Sequence, residues 1–229
     1  RTGCVSSSTN NGEVQGDVNV AGIAGSMAIE YDFDPEDDLV KEGDRSLDIT
    51  YQTKAVIRRS VNHGTITGKK DQAGGVVGRM DLGQVTHCEN YGTVSSTDGS
   101  YVGGIAGGSW GTIRESWSRC TLSGDHYVGG IAGRNQVSGQ IVSCSFEGKV
   151  QGTTATGGIA GQNAGIIRHC TNSGSVNINN VDAALSLSDI QIDTTLDLAN
   201  LATAQTFLTT TATGGIAGRN TGMIAGWRN

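Results

Sequence analysis

The aliphatic residues of this chain recur on a long period, in three short runs per unit. An opening column holds Val5, Ile57, Val85, Ile113, Ile141, Ile167 and Ile224. A second holds Val14, Ile66, Val94, Leu122, Val150 and Val176, and a third Ile23, Val76, Ile105, Ile131, Ile159 and Ile216. The third column is the centre of a Gly-Gly-Ile-Ala-Gly stretch, seen at Gly103 to Gly107, Gly129 to Gly133, Gly157 to Gly161 and Gly214 to Gly218, with looser copies at Ala21 to Gly25 and Gly74 to Gly78. From Gly74 to Gly103, Gly129 and Gly157 the steps are 29, 26 and 28 residues. A period of that length marks a repeat architecture, in which each unit completes its core only by stacking on the next. None of the runs is long or periodic enough for a helix, and Gly-rich bends separate them. The pattern predicts an all-β, single-stranded parallel β-helix (β-solenoid) with three short strands per turn and about six to seven turns, like residues lying in internal files.

The polar and small positions refine the unit. A small residue follows each opener by three: Ser8, Ser60, Cys88, Ser116, Cys144 and Cys170. Ser and Cys alternate there because a larger side chain would overfill a narrow interior. Asn135, Asn163 and Asn220 follow the glycine anchor, where Asn suits a bend and can bond along the stack. The anchor glycines are expected where a Cβ would clash.

The period breaks twice, by 53 residues from Gly25 to Gly78 and by 57 from Gly161 to Gly218. These gaps read as insertions into one domain spanning residues 1–229. The first, about 27–54, has alternations at Ile29, Tyr31, Phe33 and at Leu47, Ile49, Tyr51 that suggest a hairpin around an acidic middle. The second, about 178–213, reads as mixed strand and helix. The chain begins mid-pattern at Arg1 and stops just after a new turn starts, which suggests part of a longer chain.

Composition adds mostly exclusions. Net charge is −6, which gives no support to a nucleic-acid partner. No apolar run approaches the ~20 residues of a membrane span. Five Cys do not make a complete disulfide framework, and Cys144 and Cys170, stacked in one column, read as buried free thiols.

The template G-x-I-x-x-C-x-x-x-G-x-V-x-G followed by G-G-I-A-G-x-N resembles the GLUG repeat of bacterial surface and adhesin-like proteins and of the non-catalytic region of some IgA-cleaving metallopeptidases. The likeness covers Val5 to Gly25, Ile57 to Val176 and Gly214 to Ile224. It implies a secreted bacterial cell-surface protein. The zinc motif H-E-x-x-H does not occur, so the peptidase's catalytic chemistry does not carry over.

Two groups of residues are candidates for chemistry. Tyr91, Tyr101, Trp110, Trp117 and Tyr127 are expected outside the stack, Tyr101 over Tyr127 on adjacent turns and Trp117 near Tyr91 or Trp110. Exposed aromatics on a flat face suit sugar rings or protein partners. Asp32, Asp34, Glu36, Asp37 and Asp38 form an acidic run of the kind calcium takes, without the spacing of an EF-hand. A solvated acidic loop is the simpler reading, and no other cofactor is implied. The acidic residues of the regular turns (Asp81, Glu89, Asp98, Glu115, Asp125, Glu147) fall in different columns, so enzyme activity is not expected. The sequence therefore favours a non-catalytic structural or adhesive module that binds a host protein or glycan. A carbohydrate-active enzyme on the same scaffold and a passive spacer are the alternatives.

Overall fold

The computed structural model describes residues 3–28, 55–178 and 211–226. They form one continuous stack of parallel strands. A representative turn runs through Thr112–Arg114, Trp117–Ser118, Thr121–Ser123, His126–Gly129 and Ala132–Asn135. These strands belong to five different sheets, numbered I to V in that order. Sheet I has seven strands and the other four have six. Every strand pair among the described residues is parallel, and each inner strand pairs with its counterparts one turn before and after. The expected parallel β-solenoid of six turns and the start of a seventh is therefore present.

Each turn has five strands, not the three read from the sequence. The glycine anchor does not end a strand. It bends the chain between sheet IV, which ends at Gly103 in one turn, and sheet V, which begins at Ala106. The further strand, in sheet II, is only two residues long, and its inward residue is usually Asn: Asn10, Asn62, Asn90 and Asn172. A search for apolar alternation cannot register such a strand.

The aliphatic columns fall in register. Val85 pairs with Ile57 and Ile113, Ile141 with Ile113 and Ile167. Leu122 pairs with Val94 and Val150. At the anchor, the Ile105 N–H donates to the Ile131 carbonyl and the Ile131 N–H to that of Ile159, both at 2.9 Å, and all three side chains are fully buried. The small-residue column is inward too. The Cys88, Cys144 and Cys170 thiols each reach two backbone carbonyls, as Cys144 does to Val142 at 3.4 Å and Ile113 at 3.7 Å, and no cysteine is in a disulfide.

Two interior polar ladders tie rows together. At sheet II the Asn10 amide donates to the Asn62 Oδ1, and Asn62 to Asn90, each at 2.8 Å. Each Asn also clamps the glycine two residues on, as Asn62 does to Gly64. At the end of sheet V the expected bonding along the stack runs from Asn135 to Asn163 and from Asn163 to Asn220, each at 2.7 Å. Ser118 interrupts the first ladder, and Cys120 stands where other turns have glycine. Its thiol receives the Asn90 amide at 3.2 Å and lies 3.2 Å from the Ser118 hydroxyl, so it replaces the missing amide.

The left-handed corners are built mostly without glycine. One column of positive φ is Ser7, Arg59, His87, Glu115, Ser143 and His169, and another is Asn19, Gln72, Tyr101, Tyr127, Ala155 and Ala212. Such a conformation costs about 1–2 kcal/mol for an L-residue. The row above or below compensates by continuing the hydrogen-bond ladder through the corner, as where Arg59 N–H donates to Thr86 and Glu115 N–H to Val142. The anchor glycines instead provide room. A Cβ on Gly104 would lie 2.0 Å from Ser118 Oγ, and one on Gly130 2.3 Å from Phe146 Cγ. The sheet IV–V corner thus rests directly on the inner side of sheet II, and these two walls are opposite sides of a thin tube.

The strand Ala24–Met27 is the last described before the first long gap in the period, and Val56–Arg58 resumes the stack after that gap. Ser175–Val176 and Thr211–Gly214 bracket the second. The hairpin and the mixed strand and helix expected inside them lie outside the described residues.

Candidate functional site

Two outer faces carry the candidate aromatics. Tyr101 and Tyr127 are in the second left-handed column, where a positive φ turns the side chain out beside sheet V. The backbone there packs against the last anchor glycine of the neighbouring strand: a Cβ on Gly133 would lie 2.4 Å from the Tyr101 carbonyl carbon, and one on Gly161 2.4 Å from that of Tyr127. This places Tyr101 beside the row of Arg134 and Tyr127 beside the row of Gln162. The two rings stack at 5.2 Å and 15°, as the columns imply. The Arg134 guanidinium lies 5.4 Å from the Tyr101 ring centre and donates to the phenol oxygen at 3.3 Å. Trp110 stands on the far side of sheet V, with Arg79 at 5.4 Å over its ring and Asp81 pairing with Arg79 at 2.7 Å. Trp110, Tyr101 and Tyr127 are all half-buried.

Trp117 and Tyr91 lie on the opposite side, outside sheet II. Trp117 is in register with Glu89, whose carboxylate accepts the Tyr91 hydroxyl. That bond holds the phenol protonated and raises its pKa. Tyr91 also stacks on His63 at 5.1 Å and 8°, and Arg119 pairs with Glu147 at 3.2 Å further along the file. Trp117 is thus beside Tyr91 and away from Trp110. Of the two positions the sequence left open for Trp117, the structure has the one near Tyr91, so the aromatics divide between two faces.

The ion pairs are local and largely self-contained. Glu115 bridges Arg114 and His87, each at 2.9 Å, and the Arg114 guanidinium holds its carboxyl below the usual range. Asp125 is held by His126 at 3.3 Å and by the Thr153 hydroxyl. Among the described residues, no three His, Cys, Asp or Glu side chains come together as a metal site. The five acidic residues considered for calcium, Asp32 to Asp38, lie outside the described residues. A shallow cavity of about 460 Å³ is lined by Gln15, Gly16, Asp17, Thr67, Gly68, Lys69 and Thr97. It holds no aromatic and no paired carboxylates.

Cys88, Cys120 and Cys144 are buried, whereas Cys4 is exposed and Cys170 is half-buried with its thiol pKa lowered by the hydrogen bond to Cys144. Burial pushes the Cys88 and Cys144 thiols up, and Cys120 from 9.0 to about 11. A thiol whose folded pKa is raised keeps its proton after the unfolded chain has lost it. The stability it contributes is complete below about pH 9 and declines as pH rises toward 11. We expect about 2–3 kcal/mol to be lost over that window. Urea midpoints measured across it should show a slope that Cys120→Ala reduces.

Sequence reasoning did not find the cation–π partners Arg79 and Arg134. The spacing was readable, since Arg134 and Arg219 share a column. The missing information was that the left-handed column lies alongside sheet V, which follows only once five strands per turn are known.

The ladder and its columns define a class: a parallel β-solenoid built by repeating one turn. The GLUG motif, as a family model, matches residues 124–151 and 152–177, each match running from sheet IV of one turn through sheet III of the next, so this stretch carries two adjacent GLUG repeats. The turns outside 124–177 continue the same ladder with their aliphatic columns in register. No curated protein and no solved structure was found to match the chain significantly.

Proposed function

We propose that this chain is a non-catalytic binding module of a secreted bacterial surface protein, taking a host glycan or protein on the outside of the stack. The observation that carries this reading is the Tyr101–Tyr127 stack with Arg134 on the rigid outer side of sheet V. Aromatic rings held in fixed register offer an amphipathic platform at little entropic cost, because the ladder has already ordered them. The surface location and the adhesive role extend from the repeat family's usual setting. The self-paired carboxylates favour binding over glycoside chemistry, which needs two carboxyls converging on one bond.

The test is a glycan and host-protein binding screen of the wild type beside Tyr101→Ala/Trp110→Ala/Tyr127→Ala and Tyr91→Ala/Trp117→Ala. We expect the first variant to lose at least tenfold in affinity for whatever ligand the wild type retains, and the second to keep it. Equal binding by all three proteins would remove the aromatic faces from the mechanism.

A further inference from the structure

The outward file of sheet V reads Ser26, Arg79, Gly108, Arg134, Gln162 and Arg219 from row to row. It holds three arginines and no acidic residue, in a chain whose net charge is −6. Arg79 is neutralised by Asp81. Among the described residues, neither Arg134 nor Arg219 forms an ion pair. Asp125, two residues before Tyr127, is already engaged by His126 and Thr153. The face outside sheet II differs in this respect, because Arg119 and Glu147 pair there with each other.

The aromatic file beside these arginines stops partway. It runs Gln72, Tyr101, Tyr127, Ala155 and Ala212. One face of the Tyr127 ring is covered by Tyr101. On its other side the file continues with the buried Ala155 and the exposed Ala212, and the His126 ring lies tilted at 6.5 Å from that of Tyr127. The row relation repeats along the stack: Gly133 packs on the Tyr101 backbone and Gly218 on that of Ala155, so Arg134 lies in the row of Tyr101 and Arg219 in the row of Ala155. Among the described residues, Arg134 has an aromatic ring beside it and Arg219 has none.

Resting on the binding role proposed above, we propose that this face takes an anionic glycan, one sugar ring against Tyr127 and acidic groups of two of its sugars on Arg219 and Arg134. These two arginines are two rows apart, about 10 Å at the spacing of parallel strands, a distance that acidic groups on two sugars of one oligosaccharide can span. A guanidinium presents paired N–H donors to a carboxylate or a sulfate, and a pyranose presents its C–H face to a phenol ring. Gln162, between the two arginines, supplies a neutral amide for hydroxyl groups.

The experiment is titration calorimetry with four probes: an oligogalacturonate, its fully methyl-esterified form, a heparin-derived oligosaccharide and a neutral maltooligosaccharide. We expect the wild type to bind the oligogalacturonate or the heparin oligosaccharide at least tenfold more tightly than the esterified and neutral probes. The better of the two anionic probes identifies carboxylate or sulfate as the preferred group. Arg134→Gln and Arg219→Gln should each lower that affinity about tenfold and flatten its salt dependence, whereas Arg79→Gln should leave it unchanged. Circular dichroism melts identify any variant that has lost its fold, and the probe comparison on wild type needs no variant at all. Equal affinity for the esterified and anionic probes, or no effect of either arginine change, overturns the anionic assignment. If Tyr101→Ala/Trp110→Ala/Tyr127→Ala still abolishes binding in that case, the module reading survives alone. No binding to any of the four overturns the anionic assignment, and the broader screen then decides the module reading separately.

Discussion

Gly130→Ala is expected to destabilise the stack severely, while Gly215→Ala, at the same column of the last turn, is expected to be nearly silent. At Gly130 the added Cβ would fall 2.0 Å from the Gly158 carbonyl oxygen and 2.3 Å from Phe146 Cγ. One obstacle is backbone fixed by its own ladder, and the other is a fully buried ring. Neither can move without separating two rows. Overpacking of a closed core costs about 1–3 kcal/mol and more when backbone must shift, so a loss of about 3 kcal/mol or more is the expected result. At Gly215 no atom lies within 4 Å of the added carbon. Neither glycine has a left-handed φ, so the two substitutions differ only in the space around them. Urea unfolding followed by circular dichroism reads both. Similar midpoints for the two variants would mean that the interior is wider than these contacts require.

Asn62→Ala is the second large effect. Its side chain is fully buried and makes four hydrogen bonds: from the Asn10 amide, to Asn90 Oδ1, to the Gly64 carbonyl and from the Gly64 N–H. Truncation leaves all four partners inside a tube too thin to admit a replacement chain. Leaving a buried polar group unsatisfied costs about 1–3 kcal/mol each, so a total of about 3–5 kcal/mol is expected after relaxation. The control is Asn220→Ala, whose side chain is exposed at the last row and should lose less than about 1 kcal/mol. Thermal melts of the two variants give the comparison. A small loss at Asn62 would show that water reaches the ladder.

The aliphatic columns were legible because side chains of one kind recur at one depth. The alignment Val85, Ile113, Ile141, Ile167 is the ladder of sheet I, residue for residue. Sheet II was not legible, since its inward residue is Asn, which composition scales place at the surface. Its burial depends on the amide bonding to its copies in adjacent rows, a condition met only in the stacked state. For the candidate aromatics, the sequence carries the period and leaves open whether Trp117 lies near Tyr91 or Trp110. Tyr101 over Tyr127 needs only the period. Setting Trp117 apart from Trp110 needs the cross-section, which is fixed by contacts such as Gly104 on Ser118.

Among the described residues the backbone bonds between strands point along the length of the stack, and this decides how it answers a mechanical load. Tension applied to its two ends acts on the outermost row first, and the inner rows stay intact until that row is released. A turn such as 124–151 advances the folded stack by about 5 Å. Once freed it can extend to roughly 90–100 Å. The protein would therefore lengthen in discrete steps under pull, each one dissipating work while the remaining turns keep their shape.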